Sequence, residues 1–176
     1  MLDIVMIGSS IFEFWGQPQW TNMTVANHAI RGTQSQFWLD KSQSTSLVDL
    51  PESTHIIVYC GSNDLIYGNS PDNIVSNVRK LLDNLSSLYP KAKIGYFSIM
   101  HCPQKKAANQ IEVINQINKR IERFCETTTD KYKFFNFDEF ISDDAKWFIE
   151  DGLHLTEQAY EMLNTQLSPV LNKWVN

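Results

Sequence analysis

The chain has 176 residues, of which 43% are hydrophobic, 12% aromatic and 20% charged. That fits one domain of ordinary size with a sizeable core, and excludes disorder, a fibre or a linker. Fifteen Lys and Arg against twenty Asp and Glu leave a net charge of -5, which argues against nucleic acid or an anionic membrane surface as partner.

No apolar run approaches the roughly 18 residues of a membrane-spanning helix, so no membrane insertion is expected. The densest run, Ile56-Ile57-Val58-Tyr59-Cys60, suits a buried strand. Cys60, Cys102 and Cys125 lack C-x-x-C spacing and indicate neither a disulfide framework nor a zinc site. Met1-Leu2-Asp3 leads straight into an apolar segment without the basic region of a secretory leader, so a cytoplasmic protein is expected. No repeat or linker divides residues 1–176, and the Ser-rich stretch 42–46 is too short to do so. The one dense basic spot, Lys105-Lys106, reads as the solvated start of a helix.

In chain order, strands are predicted over residues 4–7, 24–29, 55–60, 94–99 and 132–137. Between the third and fourth lies a helix with Ser70 as cap, Pro71 at its first position and Asp72 at its positive end. Ile74, Val78, Leu81, Leu85 and Leu88 give it one buried stripe. The next helix carries Ile111, Ile114, Ile117, Ile121 and Phe124 in the same way. The last starts at Thr156 and buries Tyr160, Leu163, Leu167 and Leu171, and Pro169 is expected to bend or interrupt it. Strands alternating with helices predict an α/β fold: a flavodoxin-like three-layer α/β/α sandwich of about five parallel strands with helices on both faces.

Sites in such sheets lie beyond the carboxyl ends of the strands. Gly8, Gly32 and Gly61 fall at or just after predicted strands, and Gly152 just before the last helix. Any one of them reads as turn chemistry, but together they mark one edge of the sheet. Gly8-Ser9-Ser10-Ile11-Phe12 is neither a dinucleotide fingerprint nor a G-x-S-x-G elbow. A serine at that turn is either a helix cap or a nucleophile. Cys60-Gly61-Ser62-Asn63-Asp64 offers an amide donor for an oxyanion, or an Asx-turn with a cap.

Asp151-Gly152-Leu153-His154 can fold back within one turn, the carboxylate holding Nδ1–H and leaving Nε2 as a base. The bland alternative is a pair of residues facing water. A metal reading would recruit Asp143, Asp144, Asp151 and His154, but no second histidine sits at ligand spacing. His55 reads as structural, whereas His28 and His101 fall near strand ends and could line a pocket, neither with an Asp close by in sequence. Trp15, Trp20 and Trp38 follow the first two strands, with core packing the expected fate of most and a sugar-stacking rim the alternative.

Taken together, these blocks resemble the SGNH hydrolase family, the GDSL-type esterases and lipases, in which Ser, Gly, Asn and His occur in four separated blocks. Gly8-Ser9-Ser10 is similar to the first block, Asn27-His28-Ala29-Ile30-Arg31-Gly32 to the second, Gly61-Ser62-Asn63-Asp64 to the third and Asp151-Gly152-Leu153-His154 to the last. The first block usually reads Gly-Asp-Ser, and here Ser9 replaces that Asp.

The resemblance implies a serine esterase or acylhydrolase with Ser10 as nucleophile, His154 as base and Asp151 as orienting acid. It also implies an oxyanion hole from the N–H groups of Ser10 and Gly32 and the side chain of Asn63. No metal or organic cofactor is expected, and the partner is a small-molecule ester. Little length remains for a lid, so short acyl groups are expected, with acetylated carbohydrate one candidate. An acyltransferase with the same triad, a noncatalytic flavodoxin-like binding module and a metal-dependent phosphoesterase are the competing readings.

Overall fold

The computed structural model describes residues 1–44 and 49–176, so the Ser-rich stretch lies partly outside the described residues. Five parallel strands form one sheet: β1 (Leu2–Gly8), β2 (Val25–Asn27), β3 (Ser53–Tyr59), β4 (Lys93–Phe97) and β5 (Tyr132–Phe135), in the order β2-β1-β3-β4-β5. This is the flavodoxin-like order, with its switch point between β1 and β3.

Alternation along the strands sorts side chains to two faces. Ile4 and Met6 of β1 pack with Ile57, Tyr59 and Phe97 against α1 (Ser10–Trp15) and α7 (Glu157–Val175). Val5, Ile7, Ile56 and Val58 face α2 (Ser35–Gln43), α4 (Pro71–Leu88) and α6 (Ile111–Thr128). Two short helices, α3 (Ser62–Ile66) and α5 (Pro103–Ala107), follow β3 and β4. The expected three-layer sandwich is therefore present.

The helix signals act as read. The Ser70 hydroxyl accepts from the Asn73 N–H at 3.2 Å, with Pro71 opening α4. Thr156 is the cap of α7 rather than its first residue, its hydroxyl accepting from Ala159 N–H at 3.1 Å. The helix runs through Pro169 without interruption. Ala159, Tyr160, Leu163, Leu167 and Leu171 anchor it in the core on either side of the proline, and tertiary burial outweighs one lost backbone hydrogen bond.

Strand ends differ more. β2 spans three residues rather than six, although the His28 and Ile30 N–H groups still donate to the Met6 and Gly8 carbonyls along the edge of β1. β5 stops at Phe135, and a 3₁₀ turn, Phe137–Glu139, takes over under an Asn136 cap. Lys105 is not solvated: it is buried, and its ammonium donates to the Ser62 carbonyl at 2.9 Å.

Candidate active site

The site forms beyond the carboxyl ends of β1 and β3, at the switch point. Gly8 ends β1 at φ 150°, where a Cβ would lie 2.2 Å from the Tyr59 carbonyl oxygen. Only glycine allows that approach, and it sets the entry to α1. Ser9 occupies the cap position without a side-chain cap hydrogen bond. Ser10 is the first helical residue, 7% exposed, with its hydroxyl turned toward the last block.

That block folds back as expected. Asp151 Oδ1 accepts from the Leu153 and His154 backbone N–H groups, both at 2.9 Å. Its Oδ2 lies 2.5 Å from His154 Nδ1, and His154 Nε2 lies 2.9 Å from Ser10 Oγ. An ionised carboxylate only accepts, so the imidazole proton belongs on Nδ1 and Nε2 is left to take the Ser10 hydroxyl hydrogen. Partial burial pushes the Asp151 carboxyl up, but the His154 ring and the two backbone N–H groups outweigh it and hold it below the usual range. The structure thus brings Ser10, His154 and Asp151, 144 residues apart at the extremes, into one hydrogen-bonded line. Phe14 flanks it, its ring centroid 5.1 Å from that of His154.

The third block is neither an Asx-turn nor a cap. Gly61 turns the chain at φ 113°, and the Asn63 side chain donates to the Thr33 carbonyl at 2.9 Å. That bond ties α3 to the Gly32 loop. Asp64, fully buried, accepts from the Ser35 N–H at 2.9 Å and its hydroxyl at 2.5 Å. Sequence reasoning singled out Asn63 but missed Thr33, Ser35, Phe14 and the buried Lys105. Each acts through a contact between segments distant in the chain, and only the Gly32 turn beside Thr33 and Ser35 hinted at it.

The remaining candidates stand apart from this line. His55 is buried in β3, its ring 4.3 Å from that of Trp174. His28 is exposed. His101 finds an acid after all: its Nδ1 lies 3.0 Å from Asp138 Oδ2 and its Nε2 2.7 Å from Asn115 Oδ1. Burial pushes the Asp138 carboxyl up despite that neighbour. Trp15, Trp20 and Trp38 are all core. Asp143 turns to Lys106 and Asp144 to Lys146, and among the described residues no group of three His, Cys, Asp or Glu side chains is placed to hold a metal ion. The three cysteines are free and buried. Among the described residues no helix is long and apolar enough to cross a membrane.

A serine, imidazole and carboxylate aligned in this way are the arrangement that serine hydrolases use. Residues 6–162 match the model of the GDSL-like lipase/acylhydrolase family, and the chain belongs to that family. Solved structures share the fold. A Streptococcus pneumoniae protein provisionally described as a platelet activating factor superposes with a TM-score of 0.82 at 23% identity, over 97% of this chain and 84% of its own. The psychrotrophic esterase EstA of Pseudoalteromonas gives 0.76 at 17% identity over the whole of both chains. A family 3 carbohydrate esterase from Talaromyces cellulolyticus gives 0.71 at 14% identity, over 99% and 98%. Among curated proteins, the chain is similar to N-acylneuraminate cytidylyltransferases. The Escherichia coli protein is 20% identical over 96% of this chain and 40% of its own length, and that of Streptococcus agalactiae 30% identical over 70% and 30%. The chain thus spans less than half the length of these relatives.

Proposed function

We propose that the chain is a serine esterase that removes short acyl groups, acetyl above all, from carbohydrate esters. The observation that carries this reading is the imidazole of His154 bridging Ser10 at 2.9 Å and Asp151 at 2.5 Å. His154 Nε2 takes the hydroxyl proton as Ser10 Oγ attacks the ester carbonyl carbon, and the carbonyl oxygen becomes a tetrahedral oxyanion. The backbone N–H of Ser10 and Gly32 and the Asn63 amide donate to that oxyanion. An amide nitrogen carries two hydrogens; one of Asn63's is committed to Thr33, which holds the other in a fixed direction.

Collapse breaks the bond to the alcohol oxygen, which leaves with the proton from His154. Water, deprotonated by His154, then releases the acyl group as a carboxylic acid and restores Ser10. The sugar half of the reading draws support from the likeness in fold to a carbohydrate esterase and from relatives named N-acylneuraminate cytidylyltransferases. Hydrolysis rates over nitrophenyl esters of increasing acyl length test it. Activity is expected to peak at two to four carbons and to vanish in Ser10→Ala, and a peak at eight carbons or beyond would overturn it.

A further inference from the structure

Next to the proposed oxyanion donor Gly32 opens a cleft of about 660 Å³, lined on one side by the loop and start of α2 and on the other by Asn69, Asn73 and Asn77 at the head of α4. Its size is that of a site for a small organic ligand. Five of its nine lining residues carry neutral carboxamides: those three asparagines face Gln34 and Gln36, with the half-exposed ring of Phe37 among them.

Several of these amides are half engaged, which fixes what they still offer. Asn69 donates to Gln34 Oε1 at 2.7 Å, leaving an acceptor on Asn69 and donors on Gln34. Asn77 donates to the Ser35 hydroxyl at 3.1 Å, and that hydroxyl is itself bonded to buried Asp64. The Asn77 carbonyl oxygen is left over. Mixed donors and acceptors at fixed positions match hydroxyl groups, each of which can give and accept. An alkyl chain seated there would strip water from the amides and return no hydrogen bond, at a net cost.

Ser10 and His154 do not line the cleft, which joins the proposed catalytic centre through Gly32 and the neighbouring Arg31. Arg31, at its mouth, lies 5.0 Å over the Phe14 ring, and that ring flanks His154. Its neighbour Gly32 supplies the oxyanion N–H in the mechanism above. We infer that this cleft is the alcohol subsite of the enzyme, and that it holds the polyhydroxylated sugar while the small acyl group sits against Ser10. The inference rests on the esterase reading and adds where and how the sugar is held.

The test compares kcat/KM for a panel of mono-O-acetylated sugars (glucose, xylose and N-acetylneuraminate) with kcat/KM for 4-nitrophenyl acetate, whose leaving group has no hydroxyls to satisfy the amides. Asn73 and Gln36 are exposed, so Asn73→Ala/Gln36→Ala keeps the core and the Ser35–Asp64 contacts. The ratio of sugar ester to nitrophenyl ester is expected to fall about tenfold or more in this variant, through KM, as two lost hydrogen bonds imply. An unchanged ratio overturns the subsite, as does a wild-type enzyme that cleaves nitrophenyl acetate through Ser10 but none of the sugars. If Ser10→Ala leaves nitrophenyl acetate hydrolysis intact, the esterase reading itself fails, which separates the two.

Discussion

The Asp151 side chain is 40% exposed, so solvent screens its charge, and its hold on His154 is chiefly one of direction. Asp151→Asn tests that. A carboxamide can donate to Nδ1, which moves the imidazole proton to Nε2 and removes the base. The expected loss in kcat is large, up to about 10⁴ as measured for serine triads, with unchanged circular dichroism. A loss below about threefold would show that Asp151 does not set the tautomer. Because the Asp151 carboxyl is held below the ordinary range, it stays charged as pH falls toward that range, and the acid limb of activity does not come from its protonation. His55 makes a separate prediction about stability. Burial, helped by Lys93 and opposed by Asp3, pushes its pKa below the ordinary 6.5. As pH falls through about 6.5, the unfolded chain binds a proton before the folded one does, so stability declines until the folded pKa is reached. In His55→Gln, denaturant unfolding measured from about pH 7 to 5 is expected to lose part of that slope. A slope equal to wild type would contradict a buried neutral imidazole.

At the scale of elements, the site depends on short turns holding two helices, α1 and α3, at the end of the sheet. The bond from Asn63 to the Thr33 carbonyl locks α3 to the loop of Gly32, and Lys105 of α5 clamps the same helix through the Ser62 carbonyl. Asn63→Ala removes one proposed oxyanion donor and is expected to lower kcat about 10²–10³-fold with a smaller change in KM. Equal losses for ground-state binding and turnover would instead mark Asn63 as a packing residue. Turns of this kind were only half legible in the sequence. Gly61-Ser62-Asn63-Asp64 and Asp151-Gly152-Leu153-His154 carry their own local geometry, and the fold-back of Asp151 follows from it. The partners Thr33, Ser35 and Lys105 are joined to them by the sheet alone, and no local spacing encodes that. Lys105 beside Lys106 looks like solvated charge because a sequence window cannot show that its ammonium meets the Ser62 carbonyl of α3. Pro169 does not end α7, because the Leu163, Leu167 and Leu171 stripe holds the helix together across it.

For the molecule as a whole, strand order decides where chemistry can sit. The continuous apolar runs of β1 and β3 mark strands covered on both faces, and the stripes of α4, α6 and α7 supply the covers, so the layered architecture was readable from periodicity. The short β2 edge and the early end of β5 were not: after β5 the Phe137 N–H turns to the Ser98 hydroxyl, a partner distant in the chain. With β2-β1-β3 adjacent, Ser10 after β1 and Asn63 after β3 converge at the switch point, and α7's leading loop brings His154 across. The most direct test of this convergence is mass spectrometry of the intact protein and its peptides after treatment with a fluorophosphonate. The account predicts one adduct, on Ser10, lost in Ser10→Ala and strongly slowed in His154→Ala. Labelling on another residue, or none at a concentration that labels serine esterases, would contradict it.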